Sequence, residues 1–386
     1  GTQKIAENIK EDISNFKALH KIIKKQNIDL VVIGPEQPLV EGLVDYLAEK
    51  RIRVFGPDKF ASQLEGSKGF MKKLCKKNNI PTANFEIFDN FNDASNFIKK
   101  NGIPIVVKAD GLAAGKGVTI CTSIDEALKN TKDILEGKFK SSKKVVLEEF
   151  LEGEELSYFV IVDENSYHFF GSAQDHKRVG EGETGPNTGG MGAFSPPPRL
   201  ESEIQDVIET QITETLVKAL STENRLYQGV IYPGIMLTDS GPRVVEVNAR
   251  FGDPETEVLL PRLETDLIDI AVGVATGTLK DVEIRWSNQS TVGVMLTSAG
   301  YPGRYEVGHR IYGLGDIDSH IQVFISGANR DSNGHLITAG GRVLCVTGSA
   351  STLEEARSLV YENVEKITFE GAHFRKDIGN LIAKPE

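Results

Sequence analysis

Residues 109–118, ADGLAAGKGV, carry glycines and a lysine at a spacing that could bind phosphate. The spacing differs from a Walker A loop, G-x-x-x-x-G-K-[ST], because Gly111 and Gly115 are one residue too close and Gly117 replaces the Ser or Thr. Glycine lets the backbone approach a polyphosphate, and Lys116 would neutralise part of its charge. A flexible hairpin without a ligand explains these residues equally well.

The flanks of this loop read IPIVVK (103–108) and VTIC (118–121), which are rich in β-branched residues. Such runs are typical of strands, whereas a Walker A loop leads into a helix. Lys108 ends the first run close to the loop. We therefore expect a hairpin loop between two strands, with Lys108 near any bound phosphate.

An acidic hinge follows in VVLEEFLEGEELSY (145–158), where an apolar strand pattern ends in several carboxylates. The backbone of such a hinge can pair with an adenine, and a carboxylate a few residues later can accept both ribose hydroxyls. A solvated acidic loop is the alternative. The carboxylates in this stretch are Glu148, Glu149, Glu152, Glu154 and Glu155.

The stretch VVEVNARFGDPETE (244–257) places Glu246, Asn248 and Arg250 two residues apart. Alternate residues of a strand project from the same face, so the three side chains should lie together. Two oxygen ligands beside a guanidinium suit a magnesium ion that bridges a polyphosphate. An ordinary polar strand face, paired across a sheet, is the alternative.

The segment QDHKRVGEGETGPNTGGMGAF (174–194) has no apolar periodicity and combines charged residues with many glycines. Long irregular segments inside compact domains are usually functional or disordered. Asp175, His176, Lys177 and Arg178 open the segment, and a Gly-Gly-Met-Gly turn closes it. We interpret it as an ordered ligand-binding loop.

Strand and helix patterns place these motifs in a fold of α/β and α+β class. DLVVIG (29–34) and IRVFG (52–56) flank an amphipathic segment at 39–50, which predicts a β-α-β unit with parallel strands. Apolar residues along 201–220 recur with helical period and predict one long helix. Near the end of the chain, the motif S-T-L-E (351–354) predicts the start of a helix with a capping box between Ser351 and Glu354.

The chain of 386 residues is acidic, with a net charge of −11. This argues against nucleic acid as a main partner, because its phosphate backbone is bound by clustered Lys and Arg. A local basic run, KKLCKK (72–77), is interpreted as a solvated helix face.

Three cysteines, Cys75, Cys121 and Cys345, lie in apolar or helical surroundings without metal-ligand spacing. This pattern is typical of buried free thiols in a reducing compartment. No apolar run approaches the roughly 20 residues of a membrane helix, and no secretory signal is recognisable. We therefore predict a cytoplasmic protein with no membrane partner.

Taken in order, Lys68, Lys108, GLAAGKG, LEEFLEGEE and VEVNARFGDPE resemble the ATP-grasp superfamily. QDHKRVGEGETGPNTGGMGA, RFGDPE and VIGPEQPL are similar, more narrowly, to the phosphoribosylamine–glycine ligase family, over essentially the whole chain. The resemblance implies an ATP-grasp fold with an N-terminal doubly wound domain, a mobile lid and a C-terminal α+β domain. The expected boundaries are 1–64 for the N-terminal substrate domain, 65–284 for the ATP-grasp domain with its lid at about 84–152, and 285–386 for the C-terminal domain.

The activity implied by the resemblance is ligation of glycine to 5-phosphoribosylamine in de novo purine synthesis, giving glycinamide ribonucleotide, ADP and phosphate through a glycyl phosphate. ATP and Mg²⁺ or Mn²⁺ are the implied cofactors, and a transient contact with the enzyme that makes phosphoribosylamine is a further expectation. Another ATP-grasp carboxylate–amine ligase and a non-catalytic nucleotide-binding regulator are the alternatives.

The resemblance also implies a role for individual residues. Metal would be bound by Glu246 and Asn248, and catalysis would use Arg250, Lys116 and Asp253. ATP would be bound by Lys68, Lys108, Gly111, Gly115, Lys116, Gly117, Glu148, Glu149, Leu151 and Glu155. The small substrates would be bound by Gly34, Pro35, Glu36, Asp175, Lys177, Arg178, Asn187, Gly189, Gly190, Met191, Gly192, Arg250, Asp253 and Pro254.

Two features depart from the family pattern. Many ATP-grasp enzymes carry another Glu on the strand before the metal strand, but that strand here, IYPGIMLTD, has none. The family also begins with a strand and a glycine-rich loop that binds the substrate phosphate. Because a doubly wound sheet needs its first βα unit, we expect about 35 residues to be missing before Gly1.

Overall fold

The computed structural model describes residues 2, 5–113, 116–139, 142–221 and 227–380. Two parallel strands, β1 (Leu30–Val32) and β2 (Arg53–Phe55), form the N-terminal unit and pair with Leu30 opposite Arg53. This confirms the predicted β-α-β arrangement. Its helices are α1 (Phe16–Lys25), α2 (Glu36–Glu41) and α3 (Leu43–Glu49).

The segment predicted as a single helix at 39–50 is therefore divided between α2 and α3. Gly42 lies between them with φ of +97°, a left-handed conformation that glycine adopts without steric cost. One helix ends there and the next begins, and Leu39, Leu43 and Leu47 all belong to the same small core.

Residues 85–149, which the sequence predicts to be the lid, form a four-stranded antiparallel sheet in the order β3-β6-β4-β5, with two helices packed on it. Asn90 and Ser123 begin these helices by accepting hydrogen bonds from backbone N–H groups in the first turn. The elements from the lid approach onward are α4 (Gln63–Gly66), α5 (Lys68–Lys77), β3 (Phe85–Phe88), α6 (Phe91–Asn101), β4 (Ile105–Ala109), β5 (Val118–Cys121), α7 (Ile124–Leu135) and β6 (Val145–Glu149). The phosphate-loop candidate joins β4 to β5, as the sequence predicts.

The central region supplies most of an eight-stranded sheet. Its strands are β7 (Glu154–Val162), β8 (Tyr167–Asp175), β9 (Arg178–Gly180), β10 (Thr184–Asn187), β11 (Gly192–Ser195), β12 (Gly229–Thr238) and β13 (Gly241–Asn248). Strands β9 and β10 form a separate hairpin, which interrupts the path between β8 and β11.

The helices of the central region cover this sheet. They are α8 (Ser202–Val207), a π-helical segment (Ile208–Thr213), α9 (Glu214–Ser221), α10 (Thr256–Leu259) and α11 (Leu267–Thr276), with 3₁₀ turns at Leu260–Arg262 and Leu279–Asp281. The helix predicted at 201–220 is thus nearly continuous, and its apolar side packs into the largest core cluster together with α5 and β7.

The C-terminal region continues the same sheet. Strand β14 pairs with β11, with Ser195 opposite Thr291, so the full order is β13-β12-β7-β8-β11-β14-β18-β15. Its elements are β14 (Ser290–Thr297), β15 (Gln322–Ile325), β16 (Ala328–Arg330), β17 (Leu336–Thr338), β18 (Arg342–Ala350) and α12 (Leu353–Val364). The capping box of α12 joins Thr352 to Glu355, one residue later than predicted, because the side chain of Thr352 and not Ser351 accepts the N3 hydrogen bond.

Three side-chain predictions can be checked against burial. Cys75, Cys121 and Cys345 are free and buried, as predicted. The basic run at 72–77 is not wholly solvated, since Lys72 is fully buried. Within the described ranges, the structure contains no helix of the length and apolarity needed to cross a membrane.

Candidate functional site

A cleft of about 700 Å³ lies where the N-terminal unit, the lid, the central sheet and the C-terminal region meet. Gly34, Lys116, Glu246 and Arg342 represent these four walls. Residues that are far apart in sequence are therefore brought to a single polar site.

The lid side of the cleft carries the predicted lysines. Lys68, at the start of α5, donates from Nζ to the carbonyl oxygen of Gly111 at 3.2 Å. Burial lowers the pKa of Lys68, although the nearby Glu246 carboxylate opposes this shift. Lys116 and Gly117 also line the cleft, whereas Gly111 itself is not among the lining residues. Gly115 lies outside the described residues.

Glu148 is the centre of a buried ionic cluster at the lid hinge. Its Oε2 atom lies 2.7 Å from Lys72 Nζ and 3.0 Å from Lys108 Nζ. Burial lowers the pKa of Lys72 to about 8, despite this pairing. Lys72 Nζ also donates to Thr82 Oγ1 at 2.8 Å, and Lys108 Nζ donates to the Val245 carbonyl at 3.1 Å. The cluster joins the lid to α5 and β13.

The second hydrogen-bonding atom of Glu148, Oε1, is buried and has no hydrogen-bond partner among the described residues. Because Glu148 lines the cleft, this oxygen is available to a donor on a ligand. The next hinge residue, Glu149, pairs instead with Arg243 at 2.9 Å and accepts hydrogen bonds from Asn84. Leu151 completes the predicted hinge wall.

Strand β13 presents Glu246, Asn248 and, just beyond its end, Arg250 to the same cleft, as its alternation predicts. The Lys177 ammonium lowers the pKa of Glu246 to about 2, although burial opposes this shift. Glu246 is therefore ionised at neutral pH. Asn248 is largely buried.

Lys177 is the cation that holds the cleft carboxylates together. Its ammonium pairs with Glu155 and lies 3.4 Å from the Oε1 atom of Glu246. Burial alone would lower the pKa of Lys177, but Glu155, Glu246 and Asp175 raise it well above its usual value. Burial raises the pKa of Asp175, in spite of the neighbouring Lys177.

Arg250 is held by two carboxylates from the N-terminal part of the chain. Its Nη2 atom lies 2.8 Å from Glu65, and its Nε atom lies 3.6 Å from Glu36. Glu65 also accepts a hydrogen bond from the Ala249 N–H at 2.9 Å. Glu36 was predicted as a site residue and Glu65 was not, because nothing in its local sequence, QLEGS, marks it as functional. Gly34 and Pro35 line the cleft beside them.

The loop at 174–194 is only partly at the cleft. Asp175, Lys177, Asn187 and Gly189 line it, as predicted. Four other predicted residues do not line it: Arg178, Gly190, Met191 and Gly192.

Each of these four has another role in the structure. Arg178 donates to the Gly185 carbonyl at 2.7 Å, inside the hairpin. Met191 is fully buried in the C-terminal core, and Gly192 belongs to β11. Gly190 has φ of +114° and is packed so closely against Pro254 that a Cβ atom would overlap the ring. Pro254, also predicted as a substrate contact, packs against Gly190 of the loop and does not line the cleft.

The C-terminal region adds two lining residues that the sequence did not suggest. Arg342 donates from Nη1 to the carbonyl oxygens of Gly189 and Asp253, at 2.7 and 2.9 Å, and lies 3.0 Å from the Asp253 carboxylate. Tyr301 accepts a hydrogen bond at its hydroxyl from the Gly189 N–H at 3.0 Å. Neither lies in a recognisable motif, so only the sheet topology brings them to the cleft.

A buried carboxylate supports the wall behind Lys177. Glu255 Oε1 accepts hydrogen bonds from Tyr232 at 2.5 Å and Ser157 at 3.1 Å. Glu255 is the Glu of RFGDPE, so the motif itself could have identified it. The cleft as a whole brings lysine side chains together with the carboxylate of Glu246 and the amide of Asn248.

Solved structures share this architecture over nearly the whole chain. The phosphoribosylamine–glycine ligase of Thermotoga maritima matches with a TM-score of 0.84 and 34% identity, covering 98% of this chain and 91% of its own. The biotin carboxylase domain of Hydrogenobacter thermophilus 2-oxoglutarate carboxylase, solved with MgADP, ADP and bicarbonate, matches with a TM-score of 0.72 at 19% identity, covering 93% of this chain and 78% of its own. The fold and the site define an ATP-grasp enzyme.

Sequence comparison narrows this class to one family. Three phosphoribosylglycinamide synthetase profiles match the chain: the N domain at residues 1–65, the ATP-grasp (A) domain at 66–256 and the C domain at 291–381. The chloroplastic phosphoribosylamine–glycine ligase of Arabidopsis thaliana is 46% identical over 375 residues, which are 95% of this chain and 70% of that protein. The chain belongs to this family, and the resemblance seen in its sequence is confirmed.

Replacing Glu246 with Gln should make the stability of the protein less sensitive to acid. The pKa of Glu246 falls from an ordinary 4.5 to about 2 in the folded protein. A lowered carboxyl pKa contributes stability that is complete above the unfolded value and is lost as the pH falls from about 4.5 towards 2. We expect wild type to lose more unfolding free energy than Glu246→Gln when urea titrations are repeated from about pH 6 down to about pH 3.

Glu152→Gln is the matched control for this comparison, because Glu152 is exposed and does not line the cleft. Its stability should follow that of wild type across the same pH range. Parallel profiles for wild type and Glu246→Gln would contradict the assigned ion pair with Lys177.

Proposed function

We propose that this protein uses ATP to join glycine to 5-phosphoribosylamine, and that the cleft residues carry out the reaction in the roles given below. The products are glycinamide ribonucleotide, ADP and phosphate, and the reaction is a step of purine biosynthesis. Family membership over nearly the whole chain supports this activity. The observation that carries the residue roles is the single cleft in which lid lysines face Glu246 and Asn248.

ATP lies between the lid and the central sheet in this proposal. Lys68, Lys108 and Lys116 contact its phosphates, because all three line the cleft on the lid side. Residues 148–151 line the adenine, and the unpaired Oε1 atom of Glu148 accepts a hydrogen bond from an amino group of the base. Glu155 is paired with Lys177 in the structure. When ATP is bound, the Glu155 carboxylate also accepts hydrogen bonds from the ribose hydroxyls.

The residues on β13 fit a magnesium ion. Glu246 is an ionised carboxylate, and Asn248 provides a neutral oxygen on the same strand face, which are ligand types that Mg²⁺ uses together with substrate phosphates. Clusters of three or more His, Cys, Asp or Glu with metal-site geometry do not occur in the part of the chain that the structure describes. Glu246 and Asn248 would therefore hold the ion together with oxygen atoms from substrate phosphates and water. When bound, the ion would neutralise charge on the transferred phosphoryl group.

The chemistry begins with activation of glycine. A carboxylate is a poor electrophile and must first be activated. The γ-phosphoryl group of ATP is therefore transferred to a carboxylate oxygen of glycine, which gives glycyl phosphate and leaves ADP. Phosphoryl transfer depends mainly on positioning and charge neutralisation, which the cleft lysines and Arg250 provide. The amine of phosphoribosylamine then attacks the acyl carbon, and phosphate leaves. Closure of the lid protects the acyl phosphate from water.

The small substrates bind in the part of the cleft lined by Arg250, Asp253, Asn187 and Gly189, and these residues are proposed to hold glycine and the attacking amine. Gly34, Pro35 and Glu36 follow β1 and face the phosphoribosyl group, since ligands of open α/β sheets bind at the carboxyl ends of strands. A cytoplasmic location and a transient contact with the enzyme that supplies phosphoribosylamine stay predictions.

An omission assay tests the function. With ATP, magnesium, glycine and phosphoribosylamine, we expect ADP, phosphate and glycinamide ribonucleotide in equal amounts, measured by chromatography. Leaving out either small substrate should stop sustained release of phosphate. Formation of AMP and pyrophosphate would contradict transfer of the γ-phosphoryl group alone. Equal turnover with other carboxylate and amine pairs would instead favour another ATP-grasp ligase.

A magnesium titration tests the metal site. Glu246→Gln keeps the shape of the side chain but removes a negative charge, so the ion should bind more weakly. We expect the activity at fixed ATP to fall by about 100-fold and to need more magnesium, as for other perturbed metal-ligand sets. Glu152→Gln is again the control and should behave as wild type, because its side chain is exposed. If Glu246→Gln shows the wild-type magnesium dependence, Glu246 is only a structural strand residue.

A further inference from the structure

A second buried ionic cluster lies outside the cleft, where residues 373–377 of the C-terminal region contact the β9–β10 hairpin. Arg375 is its centre and is only 1% exposed. Its Nε and Nη2 atoms donate to the two carboxylate oxygens of Asp377 at 2.8 and 2.7 Å. Such a bidentate pair fixes the plane of the guanidinium group as well as its position.

The opposite edge of the Arg375 guanidinium group is directed at the hairpin. Its Nη1 atom donates to the Arg178 carbonyl at 2.9 Å and lies 2.7 Å from Glu183 Oε1. Glu183 Oε1 is also 2.9 Å from His176 Nδ1. One side chain from the C-terminal region therefore contacts both strand β9 and the turn of the hairpin.

Neighbouring residues strengthen the same contact. Asp377 accepts a hydrogen bond from the Gly182 N–H at 2.8 Å, so the turn of the hairpin is held from the backbone. The Lys376 N–H donates to Glu181 at 3.2 Å, and His373 Nε2 lies 3.1 Å from the Val179 carbonyl. We call residues 373–377 the hairpin clamp.

The clamped hairpin has cleft residues at its base: Lys177 just before β9 and Asn187 at the end of β10. Lys177 immediately precedes Arg178, whose carbonyl oxygen Arg375 binds. The Lys177 carbonyl in turn accepts hydrogen bonds from the N–H and the hydroxyl of Thr188, at 2.7 and 2.9 Å. Thr188 lies between Asn187 and Gly189, so a shift of Arg178 would displace residues on both sides of the small-substrate site.

We infer that Arg375 is a positioning residue for the ligation reaction, acting through the hairpin that carries Lys177 and Asn187. This inference rests on the proposed function, because it assigns the hairpin residues to the small-substrate site. Arg375 does not line the cleft and touches no reacting group. Lysine cannot replace it fully, since an ammonium group lacks the planar fork that binds Asp377 and the hairpin together.

Arg375→Met and Arg375→Lys test the inference. We expect kcat/KM for glycine to fall by about 100-fold in Arg375→Met, the cost of a small misplacement in an active site, and by less in Arg375→Lys. The dissociation constant of Mg·ATP, measured without the small substrates, should change far less, because Lys68 and Lys108 lie on other elements. In hydrogen exchange, peptides covering 176–189 should lose more protection in Arg375→Met than peptides from the eight-stranded sheet do.

Arg357→Met is the matched control. Arg357 binds the carbonyls of Lys376 and Ile378 at 2.7 and 3.2 Å, so its loss also loosens the C-terminal segment, but these contacts do not include the hairpin. It should lower kcat/KM for glycine far less than Arg375→Met does, because the direct contacts of Arg375 with Arg178 and Glu183 remain. Equal losses in Arg357→Met and Arg375→Met would overturn the inference, because they would reduce the role of Arg375 to general stability of the C-terminal region.

Glu183→Gln covers the case in which Arg375→Met does not fold. It keeps Arg375 and weakens one of its contacts, at a side chain that is half exposed. A smaller change in the same direction supports the clamp, and wild-type glycine kinetics together with unchanged exchange at 176–189 overturn it. A wild-type protein that makes no product from glycine and phosphoribosylamine would instead contradict the proposed function, and hydrogen exchange would still test the clamp.

Discussion

The arrangement of the cleft depends on the ion pairs that Lys177 forms with Glu155 and Glu246. The two carboxylates come from β7 and β13, and they approach each other across Gly234 of β12, where a Cβ atom would lie 3.2 Å from Glu246 Cγ and 3.4 Å from Glu155 Oε1. Two carboxylates in such a partly buried place repel each other unless a cation lies between them. Lys177 supplies that cation from a hairpin, so the hairpin must be held accurately, and the C-terminal region holds it.

The lid follows the same electrostatic rule. Glu148 on strand β6 is paired with Lys72 of α5 and with Lys108 of β4. Lys108 also donates a hydrogen bond to the backbone of β13. A buried carboxylate with two cations is costly to separate, because each unpaired charge would remain in a poorly solvated place. The ion pairs and the Lys108 hydrogen bond thereby hold β6 against α5 and β13. Lys108 contacts both this ionic cluster and the cleft.

Local patterns in the sequence predicted the elements better than the contacts between them. The alternation in β13 placed Glu246 and Asn248 together, because the geometry of a strand settles which side chains share a face. The prediction of one helix at 39–50 was wrong, because Gly42 adopts a left-handed conformation and ends the first helix despite the amphipathic pattern. Lys72 was expected in solvent, because helical periodicity does not reveal a carboxylate that arrives from a distant strand. Arg342 was missed for the same reason, as β18 reaches the cleft only through its place in the sheet.

The central claim is that this balanced cleft transfers the γ-phosphoryl group of ATP to the carboxylate of glycine before the amine attacks. Transfer of an oxygen isotope measures this directly: glycine labelled with oxygen-18 in its carboxylate is converted with unlabelled ATP and phosphoribosylamine, and the released phosphate is analysed by mass spectrometry. If glycyl phosphate forms, one labelled oxygen leaves with each phosphate, because the bond that breaks joins the acyl carbon to an oxygen that came from glycine. Phosphate that carries no label, released together with product, would contradict the account.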